Sequence, residues 1–285
     1  MVSLVDKCKV LRYTLDYMST ILASLEEKKQ RFDSYRPFQA DIATNLSEWF
    51  KIELTYTSNA IEGNTLSRAE TSLIVEKGIT VEGKTLEEHM EAINHAHAFD
   101  WVMKKNIGSK QDVTESAVLE LHKIILHRID DSHAGRYRTI PVRIAGSTVI
   151  LPNAMKVPDL MEKFISWLHE SRIHPLTLAV DAHFQLVSIH PFVDGNGRTA
   201  RLLMNLLCMQ VGYPPIIIRK EDRSNYITSI EKAQLGGSRS DYYALMYEAM
   251  DRSLDIYLDT LTNKERQSAL EKKPLLKIGQ LAALV

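Results

Sequence analysis

The stretch that decides the fold of this chain reads His190-Pro191-Phe192-Val193-Asp194-Gly195-Asn196-Gly197-Arg198-Thr199-Ala200-Arg201. It combines an imidazole, a carboxylate, an amide, two glycines and two guanidinium groups. Apolar residues recur at helical spacing before it, as at Ala182, Leu186 and Ile189, and a strongly apolar segment follows it. The pattern predicts a loop of polar side chains between two apolar helices.

The residues of this loop indicate an anion site. Gly195 and Gly197 let the backbone turn tightly and approach a ligand closely. The next helix begins at about Arg198, so its free N–H groups and its positive dipole end face the loop. Arg198 and Arg201 are three residues apart and can reach the same side of the first helical turn. Two guanidinium groups placed in this way suit phosphate oxygens.

Two further side chains add chemistry to the phosphate site. Asp194 is a hard oxygen ligand that could hold Mg²⁺ on the phosphates. His190 is the natural general base near neutral pH. Together these residues predict phosphoryl or nucleotidyl transfer, in which positioning and charge neutralisation supply most of the catalysis.

Other sites fit the sequence less well. The segment from Gly195 to Ala200 also matches the loose G-x-G-x-x-[GA] dinucleotide fingerprint, but a helical pattern precedes it and no βαβ unit surrounds it. The histidine pairs lack a third ligand and no H-E-x-x-H occurs, so we expect no zinc site.

The twelve residues resemble the Fic family signature, H-x-F-x-[D/E]-G-N-G-R-x-x-R, at every specified position. The resemblance extends over roughly residues 46–250 and implies an all-α helical bundle with a short β-hairpin flap. It further implies transfer of AMP from ATP, with Mg²⁺, to a Ser, Thr or Tyr hydroxyl of a target protein. In that family His190 would be the base, Phe192 would anchor the loop and Asp194 would bind the metal. The nucleotide phosphates would be held by Gly195, Asn196, Gly197, Arg198 and Arg201.

A second segment departs from the helical pattern. Residues 142–150 place two β-branched runs around Ala-Gly-Ser, which predicts a short hairpin. It resembles the family's flap, which would dock the target segment by strand addition. The resemblance puts Ile144, Ala145 and Gly146 nearest the nucleotide, and puts Tyr226 and Gln234 in the adenine pocket. A plain surface hairpin, a buried tyrosine and an exposed glutamine remain the alternatives.

A third segment, Ser58-Asn59-Ala60-Ile61-Glu62-Gly63, resembles the family's inhibitory pattern [S/T]-x-x-x-E-[G/N]. Ser58 and Glu62 are four residues apart and share one helix face, and Gly63 suits the C-terminal cap. The resemblance names Arg201 as the partner of Glu62, which would withhold this arginine from the γ-phosphate. It also implies that Glu62 can activate water and remove AMP from the target. The alternative is a surface carboxylate at a helix end.

The remaining pattern is helical. Ser67 and Glu70 form a capping-box sequence at the start of a helix. The chain as a whole is predicted to divide into a helical region with the inhibitory helix (1–110), a catalytic core (111–263) and a charged linker with the start of a further domain (264–285). We predict helices at 11–25, 45–62, 86–103, 114–127, 157–170, 175–189, 199–211, 223–234 and 241–262.

Composition limits the partners. The chain has 285 residues, 45% hydrophobic, with 35 Lys and Arg against 36 Asp and Glu, so no overall field draws it to nucleic acid or membrane. Charges interrupt the N-terminus too early for a signal peptide, which predicts a cytoplasmic protein. The sequence leaves open whether the chain forms a homodimer. The alternative function is a nucleic-acid-binding regulator that uses the same fold as a nucleotide sensor, through a winged-helix domain beginning at 275–285.

Overall fold

The computed structural model describes residues 4–106 and 108–271, with side chains for residues 19–106 and 108–263. In this part of the chain the backbone forms α-helices, three short 3₁₀ turns and no strand, which confirms the all-α class. The α-helices are α1 (Leu4–Asp33), α2 (Ala40–Glu62), α3 (Arg68–Lys77), α4 (Leu86–Lys105), α5 (Glu115–Leu126), α6 (Val157–Glu170), α7 (Pro175–Ile189), α8 (Asn196–Gln210), α9 (Arg223–Gln234) and α10 (Ser240–Glu271).

The helices α7 and α8 lie at the centre, packed along each other. Both are buried around most of their circumference, α7 mainly by apolar side chains and α8 by polar side chains near its start and apolar ones beyond. The loop between them therefore starts and ends in rigid, buried structure. The main core around the pair contains side chains from Leu25 to Leu261, so it crosses the predicted boundary near residue 110. The predicted division into regions thus does not separate two cores.

Local signals for helix ends are confirmed in the structure. Gly63 caps α2 with φ of 107°, a left-handed conformation that only glycine adopts without strain. Its N–H donates to the carbonyl of Ala60, three residues back, and α2 ends at Glu62. Ser67 and Glu70 form the predicted capping box at the start of α3.

The predicted β-hairpin at 142–150 is wrong in one respect. The segment turns at Ala145 and Gly146, where the N–H of Ser147 donates to the carbonyl of Ile144, but no ladder joins its two arms. The β-branched residues keep the arms extended, and that preference alone does not pair them. We call residues 142–150 the flap.

The C-terminal region also differs from expectation. Helix α10 continues to Glu271, through residues predicted to form a linker. Lys, Glu, Arg and Gln are good helix formers, so charge density does not end a helix. The predicted start of a further domain at 275–285 lies outside the described residues. Among the helices described, none is long and apolar enough to span a membrane.

An aromatic contact joins the N-terminal region to the last helix. The buried ring of Phe50 on α2 stacks on Tyr257 of α10, with ring centroids 4.9 Å apart. We expect Phe50→Ala to lower the free energy of unfolding by about 3–5 kcal/mol, measured by chemical denaturation. Leu86→Ala is the control, since 79% of Leu86 is exposed, and it should change stability by less than about 0.5 kcal/mol. Equal effects of the two variants would contradict this packing.

Candidate active site

His190 occupies the turn that leaves α7. Its backbone is left-handed, with φ of 51°, an uncommon conformation for a residue other than glycine. Its Nδ1 lies 3.3 Å from the carbonyl of Val187, and since a carbonyl only accepts, Nδ1 carries the proton. Burial lowers the pKa of His190, which keeps the ring neutral at pH 7. Nε2 is therefore left with a lone pair, as a general base requires.

The loop is braced from within by Asn196. Its Oδ1 accepts from the N–H of Phe192 at 2.9 Å, and its Nδ2 donates to the Phe192 carbonyl at 3.0 Å. Asn196 is buried and begins α8. Sequence reasoning assigned Asn196 to the phosphates and missed this bracing contact. A direct phosphate contact by Asn196 stays a prediction.

His122 supports the same loop from outside. Its ring stacks on Phe192 with centroids 3.6 Å apart. Nδ1 accepts from the N–H of Gly135 at 3.0 Å, so Nε2 carries the proton and donates to the carbonyl of Asp194 at 2.9 Å. Burial lowers the pKa of His122 to about 4, so this tautomer is neutral at pH 7. The sequence offered no signal for this role, because His122 lies 72 residues before its partner.

Arg198 lies buried between two carboxylates. Its Nη1 donates to Oε1 of Glu91 on α4 at 2.7 Å, and its Nη2 donates to Oδ2 of Asp194 at 3.0 Å. Asn64 donates to the other oxygen of Glu91 at 2.8 Å. Burial raises the pKa of Glu91, while the charge of Arg198 acts against that rise. Sequence reasoning missed Glu91, which no motif marked.

Arg201 is held by the end of α2. Its Nη2 donates to Oε1 of Glu62 at 2.6 Å and to the Ser58 carbonyl at 3.0 Å, and its Nε donates to Oγ of Ser58 at 2.9 Å. Arg201 is buried, whereas 36% of the Glu62 side chain is exposed. A Cβ on Gly197 would collide with Oε1 of Glu62, so only glycine allows this approach. The predicted Glu62–Arg201 pair is present.

Behind Arg201 runs a chain of buried hydrogen bonds. Tyr242 donates to the Val180 carbonyl at 2.9 Å, so Nδ1 of His183 donates to Tyr242 at 2.7 Å and Nε2 of His183 accepts from Tyr226 at 2.8 Å. The Tyr226 oxygen in turn lies 3.4 Å from Nη1 of Arg201. Tyr226 is therefore buried as a support for Arg201, and this placement argues against the predicted adenine contact.

The other predicted nucleotide contacts lie at the edges of the site. Gln234 is half-buried, and its Nε2 lies 3.2 Å from Oγ of Ser188 on α7. The turn of the flap contains Ile144, Ala145 and Gly146, and Ala145 and Gly146 are exposed. Just beyond it, Glu231 of α9 accepts from Ser147 and Thr148. The nucleotide roles of Gln234 and the flap turn stay predictions.

The donor set fits a magnesium ion that is bound together with substrate. Asp194 is the carboxylate of the loop, and 65% of its side chain is exposed. Mg²⁺ is commonly held by one or two carboxylates together with substrate phosphates and water. Among the described residues no cluster of three or more His, Cys, Asp or Glu could hold a metal alone. Asp194 would therefore hold the ion, and the phosphates would complete its ligands.

Comparison with known proteins gives consistent results. A family model described as the Fic/DOC family matches residues 112–208. "Protein adenylyltransferase Fic" of Drosophila virilis is 35% identical over 252 residues, covering 86% of this chain and 51% of that protein. The protein of the same name from Drosophila melanogaster is 36% identical over 240 residues, covering 83% and 48%. The chain thus spans about half the length of the curated relatives that it matches.

Solved structures show the same similarity. Fic-1 from C. elegans superposes with a TM-score of 0.83 and 28% identity, covering 92% of this chain and 78% of that chain. A Fic domain containing signaling protein from Bacteroides thetaiotaomicron has a TM-score of 0.76 and 27% identity, covering 84% and 97%. The fold is therefore the Fic fold.

The Glu62–Arg201 pair predicts a pH dependence of stability. Burial would raise the pKa of Glu62, but the charge and hydrogen bond of Arg201 outweigh it and hold the pKa below its usual 4.5. A depressed pKa stabilises the fold above the unfolded value, and this stabilisation is lost as the pH falls through the folded value. Glu62→Gln should therefore melt below the parent at pH 7, and the difference should shrink as the pH falls below about 4.5. A gap that stays constant across this range contradicts the ion pair.

Proposed function

The chain carries a Fic/DOC-family domain, and from that premise we propose that it transfers AMP from ATP to a Ser, Thr or Tyr hydroxyl of a target protein. The observation that carries the proposal is the neutral His190, whose free Nε2 lies in the same loop as the N-terminus of α8. The relatives named protein adenylyltransferase support this reaction.

The reaction assigns a task to each part of the loop. Nε2 of His190 takes the proton of the target hydroxyl, whose oxygen attacks the α-phosphorus of ATP. The bond to the bridging oxygen of the β-phosphate breaks and pyrophosphate leaves, so the hydroxyl gains AMP. The first N–H groups of α8 have no partner within the helix and would face the phosphates, with Arg198 in the first turn and Arg201 in the second. Mg²⁺ at Asp194 would neutralise phosphate charge.

The same geometry supports autoinhibition. Three hydrogen bonds tie the Arg201 guanidinium to Ser58 and Glu62, so in this structure its donors face α2. Arg201 must leave Glu62 before it can serve the γ-phosphate. While the pair is intact, ATP would bind in an unproductive pose. Removal of AMP from the target by Glu62 stays a prediction, supported by the exposed part of its carboxylate.

The alternative function is less well supported. A nucleic-acid-binding regulator would depend on residues 275–285, which lie outside the described residues, and the named relatives favour the enzyme. The target protein and ATP are the proposed partners. A cytoplasmic location and a homodimer stay predictions.

The first functional prediction concerns the base. In a Glu62→Gly background, His190→Ala should still bind ATP and lose at least about a hundredfold of AMP transfer, the scale of a lost general base. Transfer is measured with labelled ATP and lysate proteins, and ATP binding by calorimetry. His97→Ala is the control, since His97 is exposed on α4. Transfer by the His190→Ala variant at nearly the rate of the Glu62→Gly chain would remove His190 from the mechanism.

The second prediction concerns inhibition. Glu62→Gly frees Arg201 for a charged hydrogen bond to ATP of about 1.5–3 kcal/mol, so AMP transfer should rise roughly ten- to a hundredfold over the parent. Arg201→Ala should be inactive with or without Glu62, because the same arginine serves both states.

Glu76→Gly is the matched control for the inhibition prediction. Glu76 also lies in the last turn of a helix and is exposed, but it belongs to α3. This variant should behave as the parent. If Glu62→Gly is no more active than Glu76→Gly, autoinhibition by Glu62 is wrong. If the Glu62→Gly, Arg201→Ala double variant is as active as Glu62→Gly, the phosphate role of Arg201 is wrong.

A further inference from the structure

Arg138 has an unusual environment for an arginine. Only 2% of the residue is exposed, yet no ion pair among the described residues includes it. A buried cation without a paired charge is costly unless hydrogen bonds replace its water. Burial accordingly lowers the pKa of Arg138. An exposed loop position for the same charge would avoid this cost, so its burial calls for a reason in the structure.

The partners of Arg138 are backbone carbonyls from two separate places. Its side-chain Nε donates to the carbonyl of His190 at 2.8 Å, and its backbone N–H donates to the carbonyl of Pro191 at 2.9 Å. Its Nη1 donates to Ile140 at 3.2 Å and its Nη2 to Pro152 at 2.6 Å. The first two carbonyls belong to the loop with the base, and the other two lie two residues before and two residues after the flap.

One rigid group thus joins the loop to both ends of the flap. The guanidinium is planar, so its donors hold the three carbonyls in one fixed arrangement. The flap has no ladder between its arms that could set their separation. On the loop side, the contact falls on His190 itself, whose left-handed backbone needs support from its surroundings.

From these contacts we propose that Arg138 is a positioning residue that sets the flap against His190, so that a hydroxyl docked on the flap meets Nε2. The inference rests on the proposed AMP transfer. Arg138 lies outside the set of residues assigned to the phosphates, so its role belongs to target alignment and not to ATP binding.

The test uses the full chain in the Glu62→Gly background, with automodification from labelled ATP as the readout. Arg138→Lys keeps the charge but loses the planar set of guanidinium donors, so it cannot hold all three carbonyls. We expect the rate at saturating ATP to fall about a hundredfold per folded molecule, the scale of a small misplacement of reacting groups. The ATP concentration for half-maximal rate should change less than about threefold. Arg136→Lys, at an exposed position two residues earlier, should match the background.

A second variant separates alignment from general loss of structure. Arg143→Pro removes a backbone N–H from an exposed position of the flap and so impairs strand addition. If Arg138 acts through the flap, Arg138→Lys should lower the automodification rate by less than about tenfold in the Arg143→Pro background, because the two changes affect one step. A purely structural role predicts the same fold-loss in both backgrounds.

A third variant covers the case in which Arg138→Lys does not fold. One glycine inserted after the exposed Thr139 keeps Arg138 but displaces one arm of the flap. It should also lower the rate at saturating ATP and leave ATP affinity unchanged. An undiminished rate in Arg138→Lys overturns this inference and leaves the proposed function intact. If Arg138→Lys does not fold, an undiminished rate in the insertion variant does the same. An equal fold-loss in both flap backgrounds, or a matching loss of ATP affinity, overturns it too. No AMP transfer in the Glu62→Gly background overturns the proposed function together with it.

Discussion

The site depends on one buried guanidinium, that of Arg201. It lies in the second turn of α8, next to the helix N-terminus where phosphates would bind, and its hydrogen bonds reach Ser58 and Glu62 on α2 and Tyr226 on α9. A buried arginine must keep a partner, because an uncompensated charge in the core is strongly destabilising. Exchange of a carboxylate for a phosphate keeps this requirement satisfied. The same constraint supports the proposed inhibited state and its proposed release when ATP binds.

The rest of the loop is organised to hold an uncommon backbone at His190. Asn196 closes the loop on Phe192, and His122 supports Phe192 by stacking and Asp194 by a hydrogen bond. These contacts are made by neutral groups, since burial lowers the pKa of His122 and of His190. The charged Arg138 meets the loop at the carbonyls of His190 and Pro191. Burial and the charge of Arg138 both lower the pKa of His190, which favours the uncharged base.

The flap follows a different principle from a paired hairpin. Its arms are held near the turn by Glu231 and at the base by Arg138, and not by each other. Strand addition of a target requires backbone groups that are not already paired. In the second arm the N–H of Thr148 donates to Glu231 and that of Val149 donates to Oγ of Ser147, so these two groups serve to fix the flap.

The sequence by itself determined the helical class, the polar loop between α7 and α8 and the cap at Gly63, because each is written in local spacing or in a contiguous motif. The pairing of Glu62 with Arg201, 139 residues apart, was implied only by the resemblance to the Fic family. Only the tertiary structure decided that Tyr226 lies behind Arg201, that Glu91 binds Arg198, that the flap arms do not pair, and that His122 and Arg138 support the loop. Helical periodicity shows which face of a helix is buried but not which distant residue meets it. Those partners lie 25 to 107 residues apart and meet only when the helices pack.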